Sequence, residues 1–327
     1  MLIPLLPIII KEESFMAHEY DNAFRTMEND CPKLLIPLVN EVFKTNYSLD
    51  SPIELYPNEQ MITSPEDEQM IRITDSNFVI IGSSEDRYHI ECESNPDNTE
   101  LQVRIYQYDM QIALYGHTFI GDTMHVQFPR TAVLYLRHNA NTPDTLKICL
   151  HDEDEVLQHE IKVNKIQQYT LEEIFDKHLL IFLPFHIFVH EKELSLYNRD
   201  RKKLKELIHE YEYIVGKLND LNQVGDLSSL EKYCIITSMR SVLGLIAKKH
   251  NKVKKEADKV MGGEILEYEA KTIYRNGFKN GELKGELKGK LENAIQVYKN
   301  CIERGMSKED ALAISELKEE DIPKELR

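Results

Sequence analysis

The stretch that decides the reading is Arg87-Tyr-His-Ile-Glu-Cys-Glu-Ser94. Successive side chains point to opposite faces of a strand. Tyr88, Ile90 and Cys92 therefore share one face, and His89, Glu91 and Glu93 share the other. Residues two apart on a strand are separated by about 6.6 Å, close enough for both carboxylates to reach one metal-bound water and far enough for distinct roles. An ordinary amphipathic strand with a wet face has the same alternation, so the flanking sequence has to discriminate.

Upstream, IELYPNEQMI (53–62) and IRITDSNFVIIG (71–82) read as two further strands of an antiparallel meander. On the second of them Asp75 shares its side with Ile71, Ile73 and Val79. A carboxylate on so apolar a face needs a partner, and a divalent cation supplies one, although the composition of ITDSN also favours a bend. Before the meander, CPKLLIPLVNEVFK (31–44) reads as a short helix with Asp30 and Pro32 as start signals. Leu34, Leu35, Leu38, Val39, Val42 and Phe43 lie on one arc, and Glu41 falls at its edge, at the rim of whatever the helix packs against. After the meander come a helix, LQVRIYQYDMQIALYG (101–116), and a β-rich run in which TAVLYLRH (131–138) and TLKICLHD (145–152) are the clearest strands. The order α-β-β-β-α-β predicts a mixed α/β core.

Beyond Tyr169 the strand pattern gives way to helical stretches at 171–194, 200–221, 228–250 and from 264 onward. LNQVGDLSS (221–229) reads as a turn, and Met261-Gly-Gly263 as a linker. The last segment holds a repeat, GELKGELKGKLE, that places Gly277, Gly281, Gly285 and Gly289 on one stripe and Leu283, Leu287 and Leu291 on another. Each glycine costs about 1 kcal/mol against alanine in a helix interior, so the segment is either a charged linker or a helix approached closely by a second copy, in a homodimer. Gly305 reads as a helix stop, and Ser307 with Asp310 as a capping box opening the second arm of a small helical hairpin.

The net charge of −16 excludes a broad nucleic-acid-coating surface. Phosphate contacts must come from local clusters or metal ions. Two such clusters exist: Arg199, Arg201, Lys202, Lys203 and Lys205, then Lys248, Lys249, Lys252, Lys254 and Lys255, each of which is also what a solvated helix face looks like. The apolar run from Leu179 to Val189 is too short to span a bilayer. The opening MLIPLLPIII lacks the basic start and small-residue cleavage site of a signal peptide, and Met16 offers a second start, so residues 1–15 are expected to be an extension outside the fold. Five scattered cysteines without C-x-x-C spacing argue against a disulfide framework or a zinc cluster and for a reducing, cytoplasmic setting. His186 and His190 stand four apart, but FHIFVH lacks the Glu of a zinc-protease motif, so they read as a satisfied histidine pair. The acidic run HDEDE (151–155) lacks the glycine and ligand period of a calcium loop and reads as a solvated turn.

Asp75, fifteen intervening residues, Glu91-Cys92-Glu93 on the next strand, and an earlier helix with Glu41 in LVNEVF together resemble the PD-(D/E)xK nuclease superfamily. The resemblance is greatest to its branch of recombination-promoting nucleases and transposases. It covers most of the chain from about Met16, including YDNAFRTM, and is most specific from ECES to QYD. It implies a restriction-endonuclease-like core, with Asp75 and Glu91 as ligands of Mg²⁺ or Mn²⁺, Glu41 assisting through the metal or its waters, and position 93 as the activating residue. The superfamily usually has Lys there, and this branch often Gln, whereas this chain has Glu93. In the following helix Arg104 and Tyr108 lie four apart on one face; Arg104 is a candidate phosphate contact and Tyr108 a core residue.

The reading divides the chain into an extension (1–15), a nuclease-like core (16–169), a helical region (170–262) and a repeat with a helical hairpin (263–327). The function expected is metal-dependent DNA cleavage in recombination or transposition. Catalysis would rest on Glu93, Glu41 and Arg104, metal binding on Asp75 and Glu91, and DNA contact on Arg201, Lys202, Lys203, Lys248, Lys249 and Lys252. The alternative is a degenerate nuclease fold that works as a helical interaction scaffold.

Overall fold

The computed structural model describes residue 20 and residues 22–56, 59–63, 69–73, 76–81, 85–96, 100–153, 155–262, 295, 297–302 and 306–315. The chain divides into two units, Met1–Gly263 and Glu264–Arg327.

In the first unit a helix over residues 22–30 (α1) leads through a 3₁₀ turn, Pro32–Leu34, into α2 (Leu35–Phe43). Among the described residues ten strands follow: β1 (Ile53–Leu55), β2 (Glu59–Thr63), β3 (Gln69–Ile73), β4 (Ser76–Ile81), β5 (Glu85–Glu93), then, after α3 (Leu101–Tyr115), β6 (Thr118–Ile120), β7 (Thr123–His125), β8 (Arg130–Tyr135), β9 (Thr145–Asp152) and β10 (Glu155–Lys165). Six of them make one mixed sheet in the order β1-β4-β5-β8-β10-β9. β1, β4 and β5 are antiparallel, β5, β8 and β10 are parallel, and β9 closes the edge antiparallel to β10. The parallel step from β5 to β8 is made by α3, as a parallel pair requires a crossover of a dozen or more residues.

The meander differs from the sequence expectation in one respect. IELYPNEQMI and IRITDSNFVIIG are not single strands, because β2 and β3 pair only with each other in a separate hairpin inserted between β1 and β4. Ile71 and Ile73 thus belong to the hairpin and Val79 to the main sheet, so these three do not lie on one strand, while Asp75 is outside the described residues. β10 is a further strand of the β-rich run that ends before Tyr169, beside the two clearest ones.

Register fixes which side chains share a face. His89 pairs with Thr131, Glu91 with Val133 and Glu93 with Tyr135, while Val163 pairs with Val133 and Ile161 with Leu146. On this face α3 lays down Leu101 and Ile105 against Val133, Tyr135 and Ile161. The opposite face carries Tyr88, Ile90 and Cys92, and there Phe43 of α2 meets the Tyr88 ring at 5.2 Å. Arg130 lies over both rings and donates to the Phe43 carbonyl.

The helical half continues from Thr170. It consists of α4 (Leu171–Asp176), a long 3₁₀ stretch (Leu180–Glu193), α5 (Leu194–Arg199), α6 (Arg201–Val224), α7 (Ser229–Ile246) and α8 (Asn251–Val260). The 3₁₀ stretch is the apolar run LIFLPFHIFV, and Pro184 inside it cannot donate an α-helical hydrogen bond. Its Phe185 and Phe188 are buried beside Phe24 and Tyr20. Gly225 closes α6 at φ +90°, a conformation that glycine adopts without penalty. All five cysteines are free thiols. Among the described residues no helix is long and apolar enough to cross a membrane.

In the second unit Tyr298 and Cys301 of a helical stretch (297–302) pack with Leu312 of a helix Lys308–Ser315. The backbone N–H of Asp310 donates to Ser307 Oγ, which caps the helix start. The extension (1–15) and the Gly277–Leu291 repeat, with the dimerisation expected of it, lie outside the described residues.

Ser228 caps α7 with a full capping box, its side chain accepting from Glu231 N–H while the Glu231 carboxylate accepts from Ser228 N–H. Ser228→Ala removes one half of it and is expected to lower stability by about 1 kcal/mol, read as an earlier urea midpoint at unchanged m-value.

Candidate functional site

β5 runs through the middle of the main sheet, so the side chains on its α3 face are covered from above by that helix. His89 is fully buried, Glu91 is 2% exposed and Glu93 5%. Carboxylates are almost never buried this far unless they are paired, and each oxygen of these two has a donor. Glu91 Oε1 accepts from His89 Nε2 at 3.0 Å and Glu91 Oε2 from Arg104 Nη2 at 3.0 Å. Glu93 Oε2 lies 3.4 Å from the same Arg104 nitrogen, and Glu93 Oε1 accepts from the Asn95 N–H at 2.8 Å. Arg104 comes from the first turn of α3 and is the partly open member of the group, its side chain one-third exposed.

Behind Glu91 the charge continues inward. His89 Nδ1 lies 2.6 Å from Asp109 Oδ1, the Thr131 hydroxyl lies 2.8 and 2.9 Å from the two Asp109 oxygens, and His159 Nε2 lies 2.8 Å from Asp109 Oδ2. The result is one file, His159–Asp109–His89–Glu91–Arg104–Glu93, joining β10, α3 and β5, buried through Asp109, His89 and Glu91 and partly exposed at both His159 and Arg104. Burial alone pushes the His89 imidazole down, but the Asp109 and Glu91 carboxylates outweigh it and raise it to about 10. Glu91 is pushed up by burial and held below the usual carboxylate range by His89 and Arg104. Asp109, likewise desolvated, is held down by His89, His159 and Thr131. Tyr135, cross-strand from Glu93, is pushed up to about 12 by burial and by the Glu93 charge. Tyr108 is a core residue, its ring edge-on to His89 at 5.9 Å.

Glu41 has other partners. Lys177 Nζ donates to it at 2.9 Å, the Tyr169 hydroxyl at 3.3 Å, and Lys44 Nζ lies 3.6 Å away. Tyr169 in turn accepts from Asn164 Nδ2, on the Tyr88 side of β10. Burial pushes the Glu41 carboxyl up and the hydrogen bond from Lys177, with the charge of Lys44, holds it down. Glu41 therefore sits at the rim of the layer opposite α3, and its partners belong to that layer rather than to the file of Glu91 and Glu93. Asp75 lies outside the described residues.

The two basic clusters, about fifty residues apart in sequence, adjoin in space. α8 packs against α5 and α6, and the Lys252 N–H donates to Asn198 Oδ1 at 2.9 Å. Arg201, Lys202, Lys248, Lys249 and Lys252 are exposed, whereas Lys203 is half-buried and paired with Glu206.

Of the buried file, sequence reasoning places Glu91, Glu93 and Arg104 and misses Asp109, Thr131 and His159. Alternation puts His89 beside Glu91, the one available signal, but the other three arrive from separate elements through register and packing. The two carboxylates facing Arg104 offer only oxygen atoms, the donor type that hard cations take. No family model, no curated protein and no solved structure matches this chain.

The raised His89 value makes stability depend on pH. The imidazolium is favoured by the fold, so its contribution is complete below about pH 6.5 and is lost as pH rises toward about 10. Urea melts at pH 7 and pH 9.5 are expected to show a larger loss of stability for the native sequence than for His89→Gln, which lacks the titrating group.

Proposed function

We propose that this chain is a metal-dependent phosphodiesterase acting on DNA in recombination or transposition, with a restriction-endonuclease-like core. The observation that carries the reading is the convergence of Glu91 Oε2 and Glu93 Oε2 on a single cationic atom, Arg104 Nη2, at 3.0 and 3.4 Å. Two carboxylates of one strand thus serve one positive centre at the partly open end of a buried charged file. The succession of α2, the antiparallel β1, β4 and β5, the helix α3 and the parallel β8 also supports it, because that is the α-β-β-β-α-β order of the superfamily the sequence resembles.

In this reading Glu91 and Asp75 hold the cation, with Glu93 beside them as the activating residue. Mg²⁺ or Mn²⁺, when bound, supplies an acidified water and neutralises charge on the phosphoryl oxygens. His89, protonated between Asp109 and Glu91, fixes the Glu91 carboxylate so that Oε2 faces the opening. Arg104 exchanges its carboxylate contacts for a phosphate oxygen, for which its guanidinium is well shaped. Glu93, with one oxygen committed to the Asn95 N–H, orients the attacking water through the other. Glu41 serves instead to anchor Lys177 and Tyr169. The adjoining basic clusters hold the DNA backbone, and the Gly277–Leu291 repeat is the proposed self-association segment.

A second reading, a nuclease fold that has lost its chemistry and works as a scaffold, is favoured by a specific observation. All four oxygens of Glu91 and Glu93 already accept from protein donors, so the group is stable without a metal, and position 93 lacks the Lys or Gln usual in the family.

Nicking of supercoiled plasmid separates the two. Mg²⁺- or Mn²⁺-dependent cleavage, abolished by EDTA and reduced about a hundredfold or more by Glu91→Gln and by Asp75→Ala, is the expected result. A folded protein that neither cuts nor binds Mg²⁺ supports the scaffold. DNA binding is read independently by titration at several salt concentrations. Lys248→Glu with Lys252→Glu is expected to weaken binding and to lower the salt slope by roughly one for each phosphate that is no longer neutralised.

A further inference from the structure

The helical half contains a second group of ligating side chains, remote in sequence from the carboxylates of β5. Among the described residues, His186, His190 and Glu210 have donor atoms that all lie within 4.8 Å of one another. The two histidines come from the 3₁₀ stretch and the carboxylate from α6. His190 Nε2 lies 2.7 Å and His186 Nε2 3.5 Å from the same oxygen, Glu210 Oε2. The histidine side chains are 12% and 13% exposed and Glu210 37%, so the group is lodged at the surface with one side open.

The arrangement around His190 says what it faces. The Tyr197 hydroxyl donates to Glu193 Oε2 at 2.8 Å, and its oxygen lies 3.0 Å from His190 Nδ1. A hydroxyl has one proton to give, so once it is donated to Glu193 the tyrosine oxygen accepts from His190 Nδ1–H. With Nδ1 so engaged, His190 turns Nε2 toward a carboxylate oxygen. Two acceptors at 2.7 Å repel unless a proton or a metal ion lies between them. A ligating histidine commonly has its other ring nitrogen held in this way, by an acceptor that fixes the tautomer and aims the lone pair.

We propose that His186, His190 and Glu210 bind one divalent transition-metal ion of the Zn²⁺ class, clamping the 3₁₀ stretch to α6 and leaving a position open to water. Two imidazoles and one carboxylate are the ligand types such an ion takes, in contrast to the all-oxygen set that suits Mg²⁺. Ligand bonds of about 2.0–2.1 Å at tetrahedral angles set donor atoms roughly 3.3 Å apart. The His186–Glu210 distance already fits, and the His190–Glu210 distance opens by a small rotation of the partly exposed Glu210 side chain. Pro184 and the buried Phe185 and Phe188 hold the stretch that presents the two imidazoles. The proposal does not depend on nuclease activity.

The test uses metal-free full-length protein, with Zn²⁺ titrated in competition with a chromogenic chelator and Co²⁺ followed by visible absorption. The expected result is one equivalent of tight Zn²⁺, weakened about a hundredfold or more in His186→Ala, His190→Ala and Glu210→Gln, and about tenfold in Tyr197→Phe, which keeps all three ligands. Zn²⁺ should raise the Tm of the native sequence and of Glu91→Gln but not of the ligand variants. Where an alanine variant fails to fold, Gln at the same histidine replaces it. Failure of the native protein to compete with the chelator overturns the proposal, as does a Zn²⁺ equivalent that survives in His190→Ala or disappears in Glu91→Gln.

Discussion

Glu91 is an ionised carboxylate inside the interface between the main sheet and α3, and that interface can close only because His89 and Arg104 meet it there. Removing such a charge from water costs several kcal/mol unless it is paired and hydrogen-bonded. His89 on one side and Arg104 on the other supply both, and the Asp109 carboxylate behind His89, together with Glu91, favours its charged form. The layer is therefore held in register by a polar file as well as by the apolar patch of Leu101, Ile105, Val133, Tyr135 and Ile161. A slip of β5 by one residue would put Tyr88, Ile90 and Cys92 against the helix and the carboxylates against Phe43.

The same requirement places the most deeply buried charges in the middle of the file, between the partly exposed His159 and Arg104. Asp109 is wholly buried, His89 is caught between two carboxylates, and Arg104 reaches solvent. A file of this kind is preorganised, because each member is fixed by the next, and preorganised polar groups act on a developing charge without having to reorient. It is also self-sufficient, and a self-sufficient network can be kept for packing specificity alone. These are the physical roots of the nuclease and scaffold readings.

The helical half repeats the theme with different ligand chemistry. His186, His190 and Glu210 meet at a surface seam, with Tyr197 and Glu193 setting the tautomer from behind. Around β5 the carboxylates beside Arg104 offer oxygens, whereas the group of the helical half offers two imidazole nitrogens from the 3₁₀ stretch and one carboxylate oxygen from α6. Cations of different hardness would distinguish the two places.

Much of the core is legible in the sequence. Period-two alternation in RYHIECES, the helical arc around Glu41 and the 101–116 helix follow from side-chain direction alone, and they bring Glu91, Glu93 and Arg104 into one group. Capping signals behave similarly, since Ser228 with Glu231 and Ser307 with Asp310 act over three residues. Alternation does not separate the β2–β3 hairpin from the main sheet, because a strand pattern says which face a residue takes and not which partner the strand chooses. The positions of Asp109, Thr131 and His159 beside His89, of Glu210 beside two histidines, and of Lys252 beside Asn198 were decided by tertiary structure alone. These contacts join residues tens of positions apart through register, crossover and helix packing, and a local sequence pattern carries information only over the few residues that share one turn or one strand.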